Sequence, residues 1–594
     1  MTVFEKIELL RRQMAAHQLD AYLIPSSDPH QSEYLSTHWQ SRVWLSGFSG
    51  SAGTLIVLAE EAGLWTDSRY FIQAEQELAG SGITLHRQLV PHAPEHIAWL
   101  RDRLRPGARI GIDGRLFSVQ QARSLEKQFY AKNIQLEYTL DLVTPIWADR
   151  PPLPEDPVYE HDITFAGQSR TEKLESIRQA LGRPGDALLC SALDDIAWAL
   201  NLRGSDIDCN PLFMAYLLIS PAQATLYLSP EKISASLKNT LEADQVILRP
   251  YEAVWGDLER LDGSTRICLD PSHTSIALYS RLDPERVAEA PSPIQHLKAI
   301  KNPTEIRHIR ETMRKDGVAL LRLFRWLESG LEDHQTTITE YDVAQRLADF
   351  RAEQPAYKGE SFPAIVGYGP NGAIVHYRPQ KESAAPIHPD GILLLDSGGQ
   401  YLDGTTDITR TIALGIPTAE QKRAYTLVLK GHIALAAARF PEGTVGMQLD
   451  TLARLPLWMD GLAYGHGTGH GVGFFLSVHE GPNGFAASPT TSRGATPFRP
   501  GMLTSNEPGY YPTGKYGIRI ENLLLCVESK EHPGFLQFET VSLFPIDTAL
   551  VDVRLLHADE LQWLNDYHQK VFDGLAPLLE ATEVAWLKAK CHPL

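Results

Sequence analysis

Short apolar runs alternate with helically spaced ones through the first half of the chain. Residues 1 to about 150 open on an amphipathic pattern, Met-Thr-Val-Phe-Glu-Lys-Ile-Glu-Leu-Leu-Arg-Arg. The runs Asp20-Ala-Tyr-Leu-Ile-Pro25, Arg42-Val-Trp-Leu-Ser-Gly47 and Thr54-Leu-Ile-Val-Leu58 then read as strands, before a helix from about Ser68. That is α/β alternation. Arg150-Pro-Pro-Leu-Pro-Glu-Asp-Pro157 is a stiff linker. Beyond it the pattern repeats: a helix at Thr171 to Leu181 leads into Asp186-Ala-Leu-Leu-Cys-Ser, the counterpart of the run at Asp20. Asp195 to Gly204 parallels Ser32-Glu-Tyr-Leu and Trp44 to Gly47, and Ala215 to Ser220 with Ala224 to Leu228 supply hairpin strands. An internal duplication is the expectation.

A boundary near Pro291-Ser-Pro293 precedes a different pattern. Asn302-Pro303 opens a long helix with proline at its first position, carrying Ile306, Ile309, Met313, Leu320, Phe324 and Leu327 at three-, four- and seven-residue spacing. Further helices start near Thr339 and at the capping box Thr418-Ala-Glu-Gln421. These helices back a curved antiparallel sheet, whose strands are expected to carry the polar motifs on rigid elements rather than loops. After Pro545, an extended arm and two amphipathic helices, Leu555 to Tyr567 and Val571 to Leu587, pack on the preceding domain. The domain expectation is 1–150, 155–296, 297–545 and 546–594, of α/β, α/β, α+β and helical character.

Composition narrows the class of partner. The chain has 594 residues, too many for one core, and a net charge of −18 without a basic block. Nucleic acid and anionic membrane are therefore poor partners. Cys190, Cys209, Cys268, Cys526 and Cys591 are odd in number and scattered, and no run reaches a spanning length. Reduced thiols and a cytoplasmic location follow as expectations.

Two glycine-rich stretches invite phosphate-binding readings and fail them. Gly47-Phe-Ser-Gly-Ser-Ala-Gly53 lacks the lysine and the spacing of a phosphate loop. Gly367-Tyr-Gly-Pro-Asn-Gly372 fits a dinucleotide fingerprint in form, but Ala-Ile-Val-His-Tyr after it is strand-like and opens no helix. Both read as turns.

The chemistry concentrates at Asp396-Ser-Gly-Gly-Gln-Tyr-Leu-Asp-Gly-Thr-Thr-Asp407. An apolar run precedes it, Ile-Thr-Arg-Thr-Ile follows, and Asp403-Gly404 is a hairpin dipeptide. Asp396 and Asp407 are expected across a paired ladder, about 4.5–5.5 Å apart if directly opposite. Two bare carboxylates at that distance call for a cation between them. His470 in His466-Gly-Thr-Gly-His-Gly-Val-Gly473, Glu507 in Asn-Glu-Pro-Gly509 and Glu521 in Ile-Arg-Ile-Glu-Asn522 are donors of the same hard kind. One imidazole with four carboxylates suits manganese, cobalt or zinc. Four carboxylates exceed what one divalent ion needs, so two ions about 3.5–4 Å apart are expected.

These motifs, with Tyr-Leu-Asp-Gly-Thr-Thr-Asp-Ile-Thr-Arg-Thr and Val478-His-Glu-Gly-Pro482, resemble the pita-bread metallopeptidases over essentially the whole chain, and most closely the long, three-domain Xaa-Pro aminopeptidases. The resemblance implies two creatinase-type amino-terminal domains, a pita-bread catalytic domain, manganese, and a homodimer. It also implies roles for single residues. His376, by its pattern a lone histidine on a strand, and His479 match histidines that stabilise the tetrahedral intermediate or pass a proton. His466 resembles the histidine of the proline pocket.

Arg519 has two readings, a bidentate neutraliser of the acidic cluster or a holder of substrate beyond the scissile bond. Glu507 is the carboxylate expected to handle the proton of a water shared by the two ions. An X-Pro nitrogen carries no hydrogen, so the ring must be recognised by shape and the nitrogen protonated as it leaves. The expected substrates are peptides with proline in second position. Prolidase, restricted to dipeptides, shares the ligands but not the length and tandem domains. A non-catalytic peptide-binding relative, or a metal-free one such as creatinase, predicts gaps in a ligand set that is complete here.

Overall fold

The computed structural model describes residues 1–89, 95–183, 185–332 and 337–594. The chain forms two compact units, one of residues 1–161 and 168–295, the other of 162–167 and 296–594.

In the first unit the duplication expected from sequence takes the form of two six-stranded sheets with the same strand order. In the first sheet Thr84–Arg87, Ala62–Thr66, Thr54–Leu58, Ala21–Pro25, Arg109–Ile112 and Gln135–Glu137 lie side by side. In the second the order is Val246–Arg249, Ala224–Tyr227, Tyr216–Ile219, Ala187–Cys190, Ile267–Leu269 and Val287–Glu289. Corresponding pairs also share direction: each sheet is antiparallel at its central hairpins and parallel toward both edges. The central strands are buried on both faces, as continuous apolar runs require. No helix or strand occupies 150–157.

One expectation here is overturned. Ser41–Ser46 is a helix rather than a strand, closed by Gly47 in the left-handed region at φ +74°. Its Arg42 is buried and donates to the carbonyls of Phe48 and Gly50, and to Ser26 Oγ. The glycine-rich loop is thus a backbone wrapped around a guanidinium, not an anion cradle.

The second unit begins with Ile163–Ala166, which joins the long helix Pro303–Glu332 through Asn302 Nδ2 to Ala166 O at 2.8 Å. Leu320, Phe324 and Leu327 of that helix share a core with Val343 and Leu347 of Glu340–Ala352 and Val428 of Ala419–Ala436. The expected antiparallel strands form two larger sheets and a two-stranded ladder of Gly509–Tyr510 with Ile518–Arg519. The first holds Tyr357–Tyr368, Ile392–Tyr401, Gly404–Thr405 and Ile408–Ala413. The second runs Arg439–Pro441, Phe535–Thr540, Asn522–Glu528, Leu503–Asn506, Gly469–Gly471, Glu480–Phe485.

The carboxy-terminal helices are Ala558–Leu575 and Ala581–Lys590, so the first runs straight through Tyr567 to Val571. The break falls instead at the turn Ala576–Leu578, which contains Pro577. Leu564, Val571, Leu575 and Leu587 enter the same core as the long helix.

Candidate metal centre

The strand Ile392–Tyr401 is buried along its whole length and carries Asp396. The hairpin that follows turns at Leu402 and Asp403, one residue earlier than the Asp403-Gly404 dipeptide suggests, since Tyr401 pairs with Gly404. Register then sets Asp396 opposite Thr409 and Ser397 opposite Ile408. Asp407 is therefore diagonal to Asp396, a spacing of about 7–8 Å between backbones rather than direct opposition. Period two still places Asp396, Asp407 and Thr409 on one face. Gly398 is required where the strands meet, because a Cβ there would stand 2.0 Å from Thr406 O.

The second sheet brings the remaining donors. His470 sits on Gly469–Gly471, with Gly469 so close to the next strand that a Cβ would fall 1.9 Å from Ser505 O. Its Nδ1 is 2.9 Å from Gly471 O. Donation to that carbonyl leaves Nε2 as the ring's lone-pair donor. Nε2 lies 3.4 Å from Asp407 Oδ2 and 3.5 Å from Glu507 Oε1. Ligand atoms of Asp407, His470 and Glu521 all lie within 4.8 Å of one another. Asp407, Glu507 and Glu521 do not sit on strands: each occupies the residue next to a strand end, so the expectation that strands carry the motifs holds only for Asp396 and His470.

Charge is crowded here. Burial, then Glu521, Asp396 and Glu507, push Asp407 well above the usual carboxylate range. Burial, with Asp396 and Glu507, does the same to Glu521. Burial pushes Glu507 up to about 7 against the opposing pull of Arg519. Asp396 Oδ1 is buried without a hydrogen-bond partner among the described residues. A buried set of hard oxygen donors with one imidazole, short of positive charge and with an oxygen unsatisfied, fits divalent cations.

Arg519 is 1 % exposed, and its fork divides over several groups instead of pairing bidentately with one carboxylate. Nη2 donates to Asp396 Oδ2 at 2.6 Å, Nη1 to Tyr511 OH at 2.7 Å and Nε to Thr409 Oγ1 at 3.2 Å. Although burial works against its charge, Tyr511, Asp396 and Glu507 hold it protonated. Thr409 Oγ1 donates to Glu521 Oε2 at 2.7 Å, and Ser505 Oγ to Glu507 Oε1 at 3.2 Å.

Three further histidines are carried on turns. The ring of His479 meets that of His470 edge-on at 4.3 Å, and its charge acts on Glu507. His466 Nε2 is 2.9 Å from Tyr511 OH, the hydroxyl that Arg519 also engages. His376 is on a turn, not a strand: Tyr357–Tyr368 ends at Tyr368, and Gly369 at φ +52° with Pro370 starts a short 3-10 turn. Arg519 Nη2 reaches Val375 O at 3.5 Å, which brings that turn to the cluster.

Sequence reasoning missed Tyr511 and Thr409. The register would have found Thr409, two residues from Asp407 on the same face. Nothing in the spacing marks Tyr511, whose contacts depend on the meeting of three segments.

Comparison with known proteins identifies the family. Residues 307–528 match the model of metallopeptidase family M24, and residues 534–594 that of the C-terminal region of M24 peptidases. Residues 6–143 and 149–305 each match a creatinase/prolidase N-terminal domain. The chain is 42 % identical to a probable Xaa-Pro aminopeptidase P of Laccaria bicolor, over 99 % of this chain and 93 % of that one. It is 39 % identical to aminopeptidase P1 of Arabidopsis thaliana, over 99 % of each. Among solved structures it is similar to an X-prolyl aminopeptidase of Caenorhabditis elegans, described as a cytosolic enzyme with a di-nuclear active site. That match has a TM-score of 0.95 and 36 % identity over 100 % of both chains.

Proposed function

The chain belongs to the Xaa-Pro aminopeptidases of metallopeptidase family M24, and on that premise we propose that it releases the first residue of peptides with proline in second position, at the buried cluster of Asp396, Asp407, His470, Glu507 and Glu521. The observation that carries this reading is the convergence of those side chains around His470, with the carboxyls of Asp407, Glu507 and Glu521 held above their usual range. The five hold two divalent ions, manganese by preference and cobalt or zinc as substitutes. Bound there, the ions supply an acidified water as nucleophile and Lewis acidity toward the peptide carbonyl.

The rest is the work of this chain's residues. Glu507, 3.5 Å from His470 Nε2, takes the proton of the attacking water and returns it to the proline nitrogen as the bond breaks. His479, beside His470, and His376, on the turn beside Arg519, donate to the developing oxyanion. His466 and Tyr511 wall a pocket that takes the pyrrolidine ring by shape. Of the two readings of Arg519, its contacts support charge neutralisation: the guanidinium is buried and engaged by Asp396, Tyr511 and Thr409.

The location belongs to the same reading. All five cysteines are free, no helix among the described residues is long and apolar enough to cross a membrane, and the nematode relative is described as cytosolic. A cytoplasmic homodimer is therefore proposed. The helix Gly446–Trp458 supports the dimer, since Leu455, Trp458 and the adjoining Met459 are exposed.

The test is cleavage by manganese-loaded protein of Arg-Pro-Pro-Gly, Arg-Pro and Arg-Ala-Pro-Gly, with mass spectrometry and an Asp407→Ala control. Loss of only the first arginine from Arg-Pro-Pro-Gly, with the other two peptides much slower and the control inactive, is expected. Preference for the dipeptide would make the enzyme a prolidase. No turnover with any of several divalent metals would remove the catalytic reading.

A further inference from the structure

Glu521 occupies the gap between the strands Ile518–Arg519 and Asn522–Glu528, where no sheet ladder fixes its backbone. Its N–H donates to Thr409 O at 3.1 Å. Its carbonyl is held by a residue to which the proposed mechanism gives no part. Arg410 follows Thr409, so its side chain leaves the opposite face of the strand from Asp407 and Thr409. It is 1 % exposed.

Arg410 Nη1 donates to Glu521 O at 2.6 Å and to Thr409 O at 2.8 Å, clamping the backbones of a candidate ligand and of the threonine that bonds its carboxylate. Nη2 donates to Asn522 Oδ1 at 2.9 Å. The other contacts come from the end of the chain: Phe544 O at 2.6 Å, Pro545 O at 2.9 Å and Tyr567 OH at 2.9 Å. Among the described residues none of its hydrogen-bond partners is a carboxylate. Such a buried guanidinium is costly unless every donor is satisfied, so its partners fix it and it fixes Glu521.

Tyr567 closes the arrangement. It lies in the helix Ala558–Leu575, is buried, and stacks on Trp563 with ring centroids 5.4 Å apart. Its hydroxyl, accepting from Arg410, keeps one proton for the oxygens around it, Phe544 O at 3.0 Å, Asn522 Oδ1 at 3.1 Å and Ser542 O at 3.2 Å.

We propose that Arg410 and Tyr567 are positioning residues for Glu521, which makes the carboxy-terminal extension a component of the metal centre. The inference rests on the reading of Glu521 as a metal ligand. In metalloproteins, losing a partner that orients a ligand typically weakens metal binding by about 10–100-fold.

The test titrates metal-stripped, full-length protein with Mn²⁺ by calorimetry, and measures the metal-free melting temperature alongside. Tyr567→Phe is expected to weaken binding by about 10-fold and Arg410→Gln by about 100-fold, with Arg410→Lys between the unsubstituted chain and Arg410→Gln. Val571→Ala, a core truncation in the same helix that removes none of the guanidinium's hydrogen bonds, should lower the melting temperature while leaving Mn²⁺ affinity unchanged.

Unchanged affinity in Tyr567→Phe would overturn the proposal, and so would an equal loss in Val571→Ala, because general loosening would then explain the effect. If Arg410→Gln fails to fold, Tyr567→Phe, which loses one hydroxyl, still decides. Failure of the unsubstituted chain to bind Mn²⁺, Co²⁺ or Zn²⁺ would instead overturn the metal reading itself, and this inference with it.

Discussion

Lys301 Nζ lies 2.7 Å from Glu480 Oε1, each side chain being 2 % exposed, and Glu480 directly follows His479. Lys298 Nζ is 3.8 Å from the other carboxylate oxygen. Removing one side of a buried pair leaves the other charged and uncompensated, at a typical cost of about 3–5 kcal/mol. Lys298 stays beside Glu480 in Lys301→Ala, so denaturant-measured stability should fall by less than that amount. It should also reduce kcat more than Mn²⁺ affinity, because His479 rather than the ligands loses its support. Equal losses in both would place the pair behind the ligands instead.

Glu340 performs a related task for His376. Its buried carboxylate accepts from Tyr368 N at 2.8 Å, Tyr377 OH at 2.8 Å, Ala385 N at 2.9 Å and Asn371 Nδ2 at 3.0 Å, tying down both flanks of the turn that carries the histidine. Tyr377→Phe removes one of these bonds. Its loss, about 1–2 kcal/mol, corresponds to roughly 10-fold in kcat if the turn relaxes fully. Steady-state kinetics on Arg-Pro-Pro-Gly, with Mn²⁺ affinity as the unaffected control, checks it.

Thr409 donates to Glu521 Oε2 and accepts from Arg519 Nε. Thr409→Val keeps the shape and deletes both bonds. Mn²⁺ affinity should fall by about 10–100-fold with the metal-free fold retained. Thr409→Ser, which restores the hydroxyl, should recover most of it.

Two buried histidines give the metal-free protein an acid-sensitive stability. Burial, followed by the charge of Arg410, pushes His432 down to about 3 and His568 down to about 4. Both are neutral in the fold, while the unfolded chain protonates them near 6.5. The unfolded state thus binds more protons below that pH, and stability falls as pH drops, by about 1.4 kcal/mol per unit for each histidine. The loss begins near pH 6.5 and ends near pH 4 for His568 and pH 3 for His432. The raised carboxylates oppose this trend, so the comparison must be differential. His568→Gln should flatten the pH dependence of urea unfolding between pH 6 and 4 relative to the unsubstituted chain.

Much of this was legible before folding. The candidate ligands stood out by their glycine-rich motifs, but the reading put all of them on strands, whereas Asp407, Glu507 and Glu521 lie beside strand ends. The duplicated α/β units showed in the matching runs at Asp20 and Asp186. What escaped did so for physical reasons. The run Arg42 to Gly47 is too short for period to separate strand from helix, and the buried Arg42 decides it by gathering the following loop's carbonyls. Asp396 and Asp407 are not directly opposite because the turn at Leu402 and Asp403 falls one residue too late for that pairing. Tyr511, the pair of Lys301 and Glu480, and the junction of Arg410 with Tyr567 join segments far apart in the chain, and no local pattern announces such contacts.

That last junction sets a timetable. Arg410 draws its partners from residues 409, 521, 522, 544, 545 and 567, so a chain emerging from the ribosome has every candidate ligand before it has the phenol that completes their support. An ion that arrives early meets Glu521 on an unsecured stretch of backbone. On the inference drawn for Arg410, Glu521 has its full support only once residue 567 has been made and its helix has docked.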